Sequence, residues 1–265
     1  MSGTFEAACE ATVLSGERFA DALHAQPLLA TGMRIGRGEF LRRLQQLEAE
    51  GQTVHAEWLE GVVTVMDTPD TESHGSPQGA AAMLLKLYEA YTPGVFAATA
   101  GGVILDEGEL EPDVLLAIRP EFAGQMSRTA DGKLTGPPEL IVEIANTSVL
   151  RDTRVKRLAY ERAGVREYLV HAVRDRQILC DRLVGERFEF VALDDGVFRS
   201  EIFPGLWIDC DALVAGDLPK AVATAEAGRA RPEHAAFAQS LVAAGAAKKD
   251  ADGGESALPA SRVDG

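Results

Sequence analysis

Two acidic residues stand in runs that are otherwise apolar and strand-like: Asp113 in EPDVLL (111–116) and Glu143 in PELIVEIA (138–145). Side chains alternate between the two faces of a strand, so each carboxylate points either to solvent or into a cleft. Left unpaired inside, either would carry a desolvation penalty of several kcal/mol, which a divalent cation can offset. Oxygen ligands with no cysteine or paired histidine nearby select Mg²⁺ or Mn²⁺ over zinc. Such an ion lowers the pKa of bound water and neutralises charge on a phosphoryl oxygen, which makes phosphodiester hydrolysis the matching reaction. The structural alternatives are a strand-start role for Asp113 after Pro112, and for Glu143 a buried ion pair with Arg151 or Arg154.

The elements that must position these acids follow from periodicity. In GEFLRRLQQLEAEG, Phe40, Leu41, Leu44 and Leu47 recur at helical spacing and Gly51 supplies a stop. HAEWLEGVVTVM predicts two short strands around Glu60-Gly61, and a helix is expected from about Ser76 to Tyr91, before Pro93-Gly94. GVFAATA, GGVIL, PDVLLAI and ELIVEIA read as strands, with a polar loop at 121–137. The last two are almost continuously apolar, as central strands of a mixed sheet covered on both faces should be. Residues 152–163 predict a helix with Val155, Leu158, Ala159 and Ala163 as its apolar stripe, followed by the strand REYLVHA and a meander through RQILCDRL, RFEFVAL and GVFRSEIFPGLWI.

The resulting organisation is a loosely structured lead-in at 1–37, a core domain at 38–213, an Ala-rich helical extension at 214–248 and a disordered tail at 249–265. Among 265 residues, 41 are acidic and 26 basic, and the net charge of -15 argues against a broad basic surface for a phosphate backbone. Any nucleic acid must meet a locally basic cleft. Cys9, Cys180 and Cys210 are too few and too scattered for a disulfide framework or zinc ribbon, which fits a reducing cytoplasm. No stretch reaches the ~20 apolar residues of a membrane helix, and the first residues lack a signal-peptide pattern. The sequence has no HExxH, no phosphate loop and no GxSxG elbow, so zinc hydrolysis, ATP use and acyl transfer find no support.

The ordered blocks AEWLEGVV, SHG (73–75), EPD, PELIVEIANTS, RDTRVKRLAYERAGVREYLV and RSEIFPGLWID closely resemble the Uma-two family of restriction-endonuclease-like proteins, a branch of the PD-(D/E)xK nuclease superfamily. The resemblance runs from about Phe40 to Leu213, and a tail motif, PEHAAF, extends it. It implies an α/β, restriction-endonuclease-like mixed sheet flanked by helices, with Asp113 and Glu143 as the acidic metal ligands. Where the superfamily pattern has a lysine, two residues after the second acid, this chain has Ala145. The family instead suggests Lys156, in the following helix, as a migrated lysine that positions the nucleophile, and Glu57 as a third acid. Lys156 could also be a solvated partner of Asp152 at i,i+4, and Glu57 an ordinary strand-edge charge.

Tyr160, one turn beyond Lys156, could line the same cleft but reads as packing; His74, opening the second helix, could cap it or contact substrate but reads as solvent-exposed; His171 reads as a structural turn residue. The expected protein is a cytoplasmic, homodimeric, Mg²⁺- or Mn²⁺-dependent endonuclease acting on DNA, with RNA open as a substrate. Its rival is a catalytically silent nuclease-fold scaffold that serves as a protein-interaction module.

Overall fold

A computed structural model describes residues 27–254 apart from 69, 100–101 and 131–133. Helix α1 (Arg37–Ala49) is followed by β1 (Ala56–Leu59) and β2 (Val62–Val65), a π-helical turn (Thr71–Gly75), α2 (Ser76–Ala90), β3 (Val95–Thr99), β4 (Val103–Leu105), β5 (Gly108–Leu110) and β6 (Val114–Ile118). After the small hairpin β7 (Ser127–Arg128) and β8 (Leu134–Thr135) come β9 (Leu140–Ala145), a second π-helical turn (Arg151–Lys156), α3 (Arg157–Ala163) and β10 (Glu167–Ala172). The chain continues through β11 (Gln177–Val184), β12 (Arg187–Phe190), β13 (Val197–Arg199) and β14 (Trp207–Asp209) into α4 (Cys210–Ala215), α5 (Leu218–Arg229) and α6 (Pro232–Gly254).

The central sheet has the order β12-β11-β10-β9-β6-β3. Strands β9 and β10 are parallel, joined through α3, and the other neighbours are antiparallel. Because β9 and β10 lie mid-sheet, all six residues of each are buried, which explains their unbroken apolar character in sequence. One face packs Val114, Leu116, Val142, Ile144 and Leu169 against α2, α4 and α5. The other packs Leu115, Ile141, Ala145, Tyr168 and Val170 against α3 and a second sheet, β2-β1-β5-β4.

Several expectations change in the folded chain. From Pro27 onward the lead-in is packed: Leu29 is buried with Phe40, Leu47 and Val63, and Arg34 bridges to Val62. The first 26 residues of the expected lead-in lie outside the described residues. The polar loop contains the β7-β8 hairpin. Helix α6 runs to Gly254, past the expected end of the extension, and 255–265 lie outside the described residues. The predicted helix at 152–163 forms, but its first half is π-helical and its face is turned: Val155 and Leu158 are exposed, whereas Asp152, Lys156, Ala159 and Tyr160 are buried. The wider π turn breaks the 3.6-residue period on which the stripe rested. Among the described residues, no helix is long and apolar enough to cross a membrane.

The tail helices pack on the core through close backbone approaches. His234 Nε2 lies 2.9 Å from Thr92 Oγ1, and Lys248 Nζ donates to the Pro120 carbonyl at 2.7 Å. A Cβ added at Gly228 would meet the Gly205 carbonyl oxygen and the Trp207 ring, each at 2.5 Å. Gly228→Ala should therefore destabilise the protein by ~1–3 kcal/mol, as overpacking does. Urea unfolding should show a lower midpoint with an unchanged slope.

Candidate active site

Register brings the two acids together. Val114 pairs with Val142 and Leu115 with Ile141 across antiparallel β6 and β9, so the next step outward sets Asp113 opposite Glu143 on the same face. Asp113 Oδ2 accepts from the Ile144 backbone N–H at 2.7 Å, and Gln78 Nε2 donates to the Asp113 carbonyl. Glu143 points toward α3, on the face that carries Ile141 and Ala145.

Lys156 meets Glu143 from the π-helical turn. Its ammonium donates to Glu143 Oε1 at 2.9 Å and lies 3.0 Å from Glu57 Oε1, in β1 of the second sheet. Tyr160 donates its hydroxyl to the same Glu143 Oε1 at 2.9 Å. Both donors thus converge on one oxygen of Glu143, and Oε2 takes no hydrogen bond among the described residues. Glu57 Oε1 also accepts from the Glu111 backbone N–H at 3.0 Å. Arg151 Nη2 stands 2.5 Å from Glu57 Oε2, yet that buried oxygen accepts no hydrogen bond, so the contact is an ion pair without donor alignment.

The structure thus brings Glu57, Asp113, Glu143 and Lys156 into one region. It also adds residues that sequence reading ranked as weaker candidates, His74 and Tyr160, and one that it placed in solvent, Asp152. His74, expected in solvent, has its Nε2 2.9 Å from Asp113 Oδ1. Tyr160 is buried as a packing residue should be, but its hydroxyl serves the acid. Asp152 is buried, accepts from Ser148 Oγ, and lies 3.7 Å from Lys156 Nζ. The i,i+4 pair exists, but in the interior. Two signals could have found these residues: the Lys156/Tyr160 spacing, and SHG standing at a helix start within the quoted blocks. His171 lies on the opposite face beside Leu84, Ile144 and Ile178.

Burial is graded across the site. Glu57, Glu143 and Lys156 are almost fully enclosed, whereas the side chains of Asp113 and His74 keep 19% and 17% of their exposure and form the open rim. Four carboxylates, Glu57, Asp113, Glu143 and Asp152, face two permanent cations, Lys156 and Arg151. Counted as fully ionised with His74 neutral, the set has two more negative charges than positive, an excess that the raised Glu143, Asp152 and His74 reduce near neutral pH. Burial pushes the Glu143 carboxyl up to about 8, with Lys156 pulling it down and Asp113, Asp152 and Glu57 adding repulsion. Burial likewise raises Asp152. Burial opposes the charge on Lys156, but Glu143, Glu57 and Asp152 outweigh it and hold the ammonium charged. The hydrogen bond to Asp113 raises His74.

The donor set suits a hard divalent ion: two carboxylates on one face, a free oxygen on Glu143 and an unbalanced negative charge. Among the described residues, no group of three or more His, Cys, Asp or Glu side chains is placed to hold a metal ion. That is compatible with Mg²⁺ or Mn²⁺, which typically take one or two protein carboxylates and keep waters. An open groove of about 620 Å³ lined by Lys86, Glu89, Tyr91 and Pro93 lies at the other end of α2 and contains none of these groups.

This is the restriction-endonuclease-like α/β fold: a mixed sheet flanked by helices, with acids on adjacent central strands and a lysine from the crossing helix. The chain belongs to the Uma2 family, described as "Putative restriction endonuclease", whose model matches residues 39–212. Among solved structures, one described as "a putative nuclease belonging to DUF820", from Anabaena variabilis, is similar at 14% identity over 60% of this chain and 90% of that one, with a TM-score of 0.47. No curated protein matches.

Glu143 makes stability pH-dependent. Its folded value lies above the ordinary 4.5, so its stabilising contribution is full below 4.5 and is lost as pH rises toward about 8. Glu143→Gln removes that dependence. Urea titrations from pH 5 to 8.5 should show the variant gaining on wild type as pH rises; parallel curves would contradict the assignment.

Proposed function

We propose that the protein is a divalent-ion-dependent endonuclease that hydrolyses phosphodiester bonds in DNA, with Asp113 and Glu143 holding the ion. The observation that carries this reading is the Lys156 ammonium, 2.9 Å from Glu143, on the sheet face where register also sets Asp113. When bound, the ion would acidify a water and neutralise charge on the scissile phosphate.

The chain's own groups supply the rest. Lys156 has three N–H donors; one is given to Glu143 Oε1, a second faces Glu57 Oε1 across a 3.0 Å ion pair, and the 3.7 Å approach to Asp152 is too long to be a hydrogen bond. The third donor is therefore available to orient the attacking water or to stabilise the charged pentavalent phosphorus. Tyr160 fixes the rotamer of Glu143 and leaves Oε2 for the ion. Glu57 anchors the ammonium through Oε1, and its Oε2 is held in the ion pair with Arg151, so that it would act on the site by fixing Lys156 and by its charge. A lysine from the helix thus does the work of the one absent at Ala145.

Substrate reaches the site over the Asp113-His74 rim, since the Glu143-Lys156 floor is closed. A homodimer would give the two symmetry-related sites that a double-strand cut needs, with the tail helices α5 and α6 as its contact. Light scattering at micromolar concentration should then report twice the 28.3 kDa chain mass.

The activity test is nicking of supercoiled plasmid, with single-stranded RNA run in parallel. Cleavage should require Mg²⁺ or Mn²⁺, weaken with salt, vanish in Asp113→Asn, and fall by roughly 10²-fold or more in Lys156→Ala. If no divalent ion supports cleavage and none raises the melting temperature, the silent-scaffold reading replaces this one.

A further inference from the structure

A chain of hydrogen bonds runs from the rim to a surface arginine that the acids and Lys156 do not account for. Ser73, the neighbour of His74, accepts from Asn146 Nδ2 at 2.6 Å through its Oγ, and Asn146 Oδ1 accepts from Arg174 Nε at 2.9 Å. The chain is anchored on both sides. Ser73 Oγ in turn donates to Asp70 Oδ1, the cap of the turn Thr71–Gly75, and Asn146 is the first residue after β9, the strand of Glu143. Arg174 belongs to the turn between β10 and β11, and the parallel pairing of Ala172 with Ala145 sets that turn beside Asn146. Its Nε faces the asparagine, whereas the two Nη groups of this exposed residue have no protein partner among the described residues. Elsewhere the chain ties such groups down: Arg37, Arg157, Arg162, Arg182, Arg187 and Arg199 each face a carboxylate. Arg176, exposed and without an ion pair among the described residues, lies in the same turn as Arg174, where Asp175 is the one acid.

Resting on the nuclease reading above, we propose that Arg174 holds a backbone phosphate of the DNA strand that enters over the Asp113-His74 rim, with Asn146 as its positioning residue. A guanidinium anchored at Nε keeps its planar Nη edge in a fixed direction, and two parallel N–H donors match two phosphate oxygens. Anchoring also removes beforehand part of the side-chain freedom that binding would otherwise cost. Charge favours the same assignment. The net charge of -15 repels a phosphate backbone from the surface at large, so an unpaired cation two hydrogen bonds from the residue next to His74 marks where attraction remains. Phosphate contacts fix the register of a strand and carry no sequence information, so Arg174 positions the strand over the acids and leaves base preference to other residues.

Fluorescence anisotropy of labelled DNA duplexes with the full-length protein tests this, in Ca²⁺ so that an ion-requiring complex can form. Between about 50 and 200 mM salt, log affinity should fall linearly with log salt. Arg174→Ala should weaken binding by roughly tenfold, lower the salt slope by about 0.9, and do so equally for two duplexes of unrelated sequence. Asn146→Ala, which keeps the charge and removes the anchor, should weaken binding by a smaller factor with the slope retained. Arg42→Ala removes the same charge from an ion pair on α1 and should change neither quantity. In plasmid nicking, Arg174→Ala should raise KM with kcat little changed. Wild-type affinity and slope in Arg174→Ala, or an equal loss in Arg42→Ala, overturns the role of Arg174 and leaves the nuclease reading standing. Wild-type affinity in Asn146→Ala overturns its positioning role. Wild-type protein that binds no DNA overturns the phosphate contact and the nuclease reading together.

Discussion

A buried ammonium shared by carboxylates from two different sheets is the constraint around which the site is built. Lys156 reaches Glu143 in the central sheet and Glu57 in the second sheet, so one side chain from the crossing helix ties three elements together. Burying an ion pair is a poor way to gain stability: the desolvation penalty rivals the attraction, and breaking such a pair costs ~3–5 kcal/mol because it strands a charge. Apolar residues of similar volume would hold the same elements at less risk. That the chain keeps charges at its centre, with Tyr160 and Arg151 committed to the same carboxylates, argues for a chemical purpose.

The charge imbalance gives that purpose direction. Four carboxylates face two permanent cations, and one of the four, Asp113, stands with His74 on the part of the site that water can reach. The floor is fixed and the rim is open. A divalent ion arriving at the rim would offset negative charge without disturbing Lys156, and the net charge of -15 over the whole chain would confine attraction for a phosphate backbone to that cleft.

Much of this was legible in the sequence. Two carboxylates inside apolar strands were conspicuous because a mid-sheet strand has no solvated face on which to place them, and short antiparallel register does the rest. The migrated lysine was readable only through the family resemblance, since nothing in the spacing of a helix says which of its lysines is buried. Periodicity failed where backbone form changed: the π turn at 151–156 moved Val155 and Leu158 outward and Asp152 and Lys156 inward. His74 was illegible for a different reason. Its partner lies 39 residues away, and a lone histidine at a helix start carries no local signal of a tertiary contact. Strand β5, only three residues around Gly108 to Leu110, is too short for a pattern and exists because β1 and β4 flank it.

The most direct test is a crystal of the protein soaked in Mn²⁺ and measured for anomalous scattering. The account predicts one strong peak between the Asp113 and Glu143 side chains, about 2.1 Å from an oxygen of each, with the Lys156-Glu143 contact intact. A map with no peak there, and with the Asp113-His74 and Lys156-Glu143 pairs as they are without the ion, would contradict it.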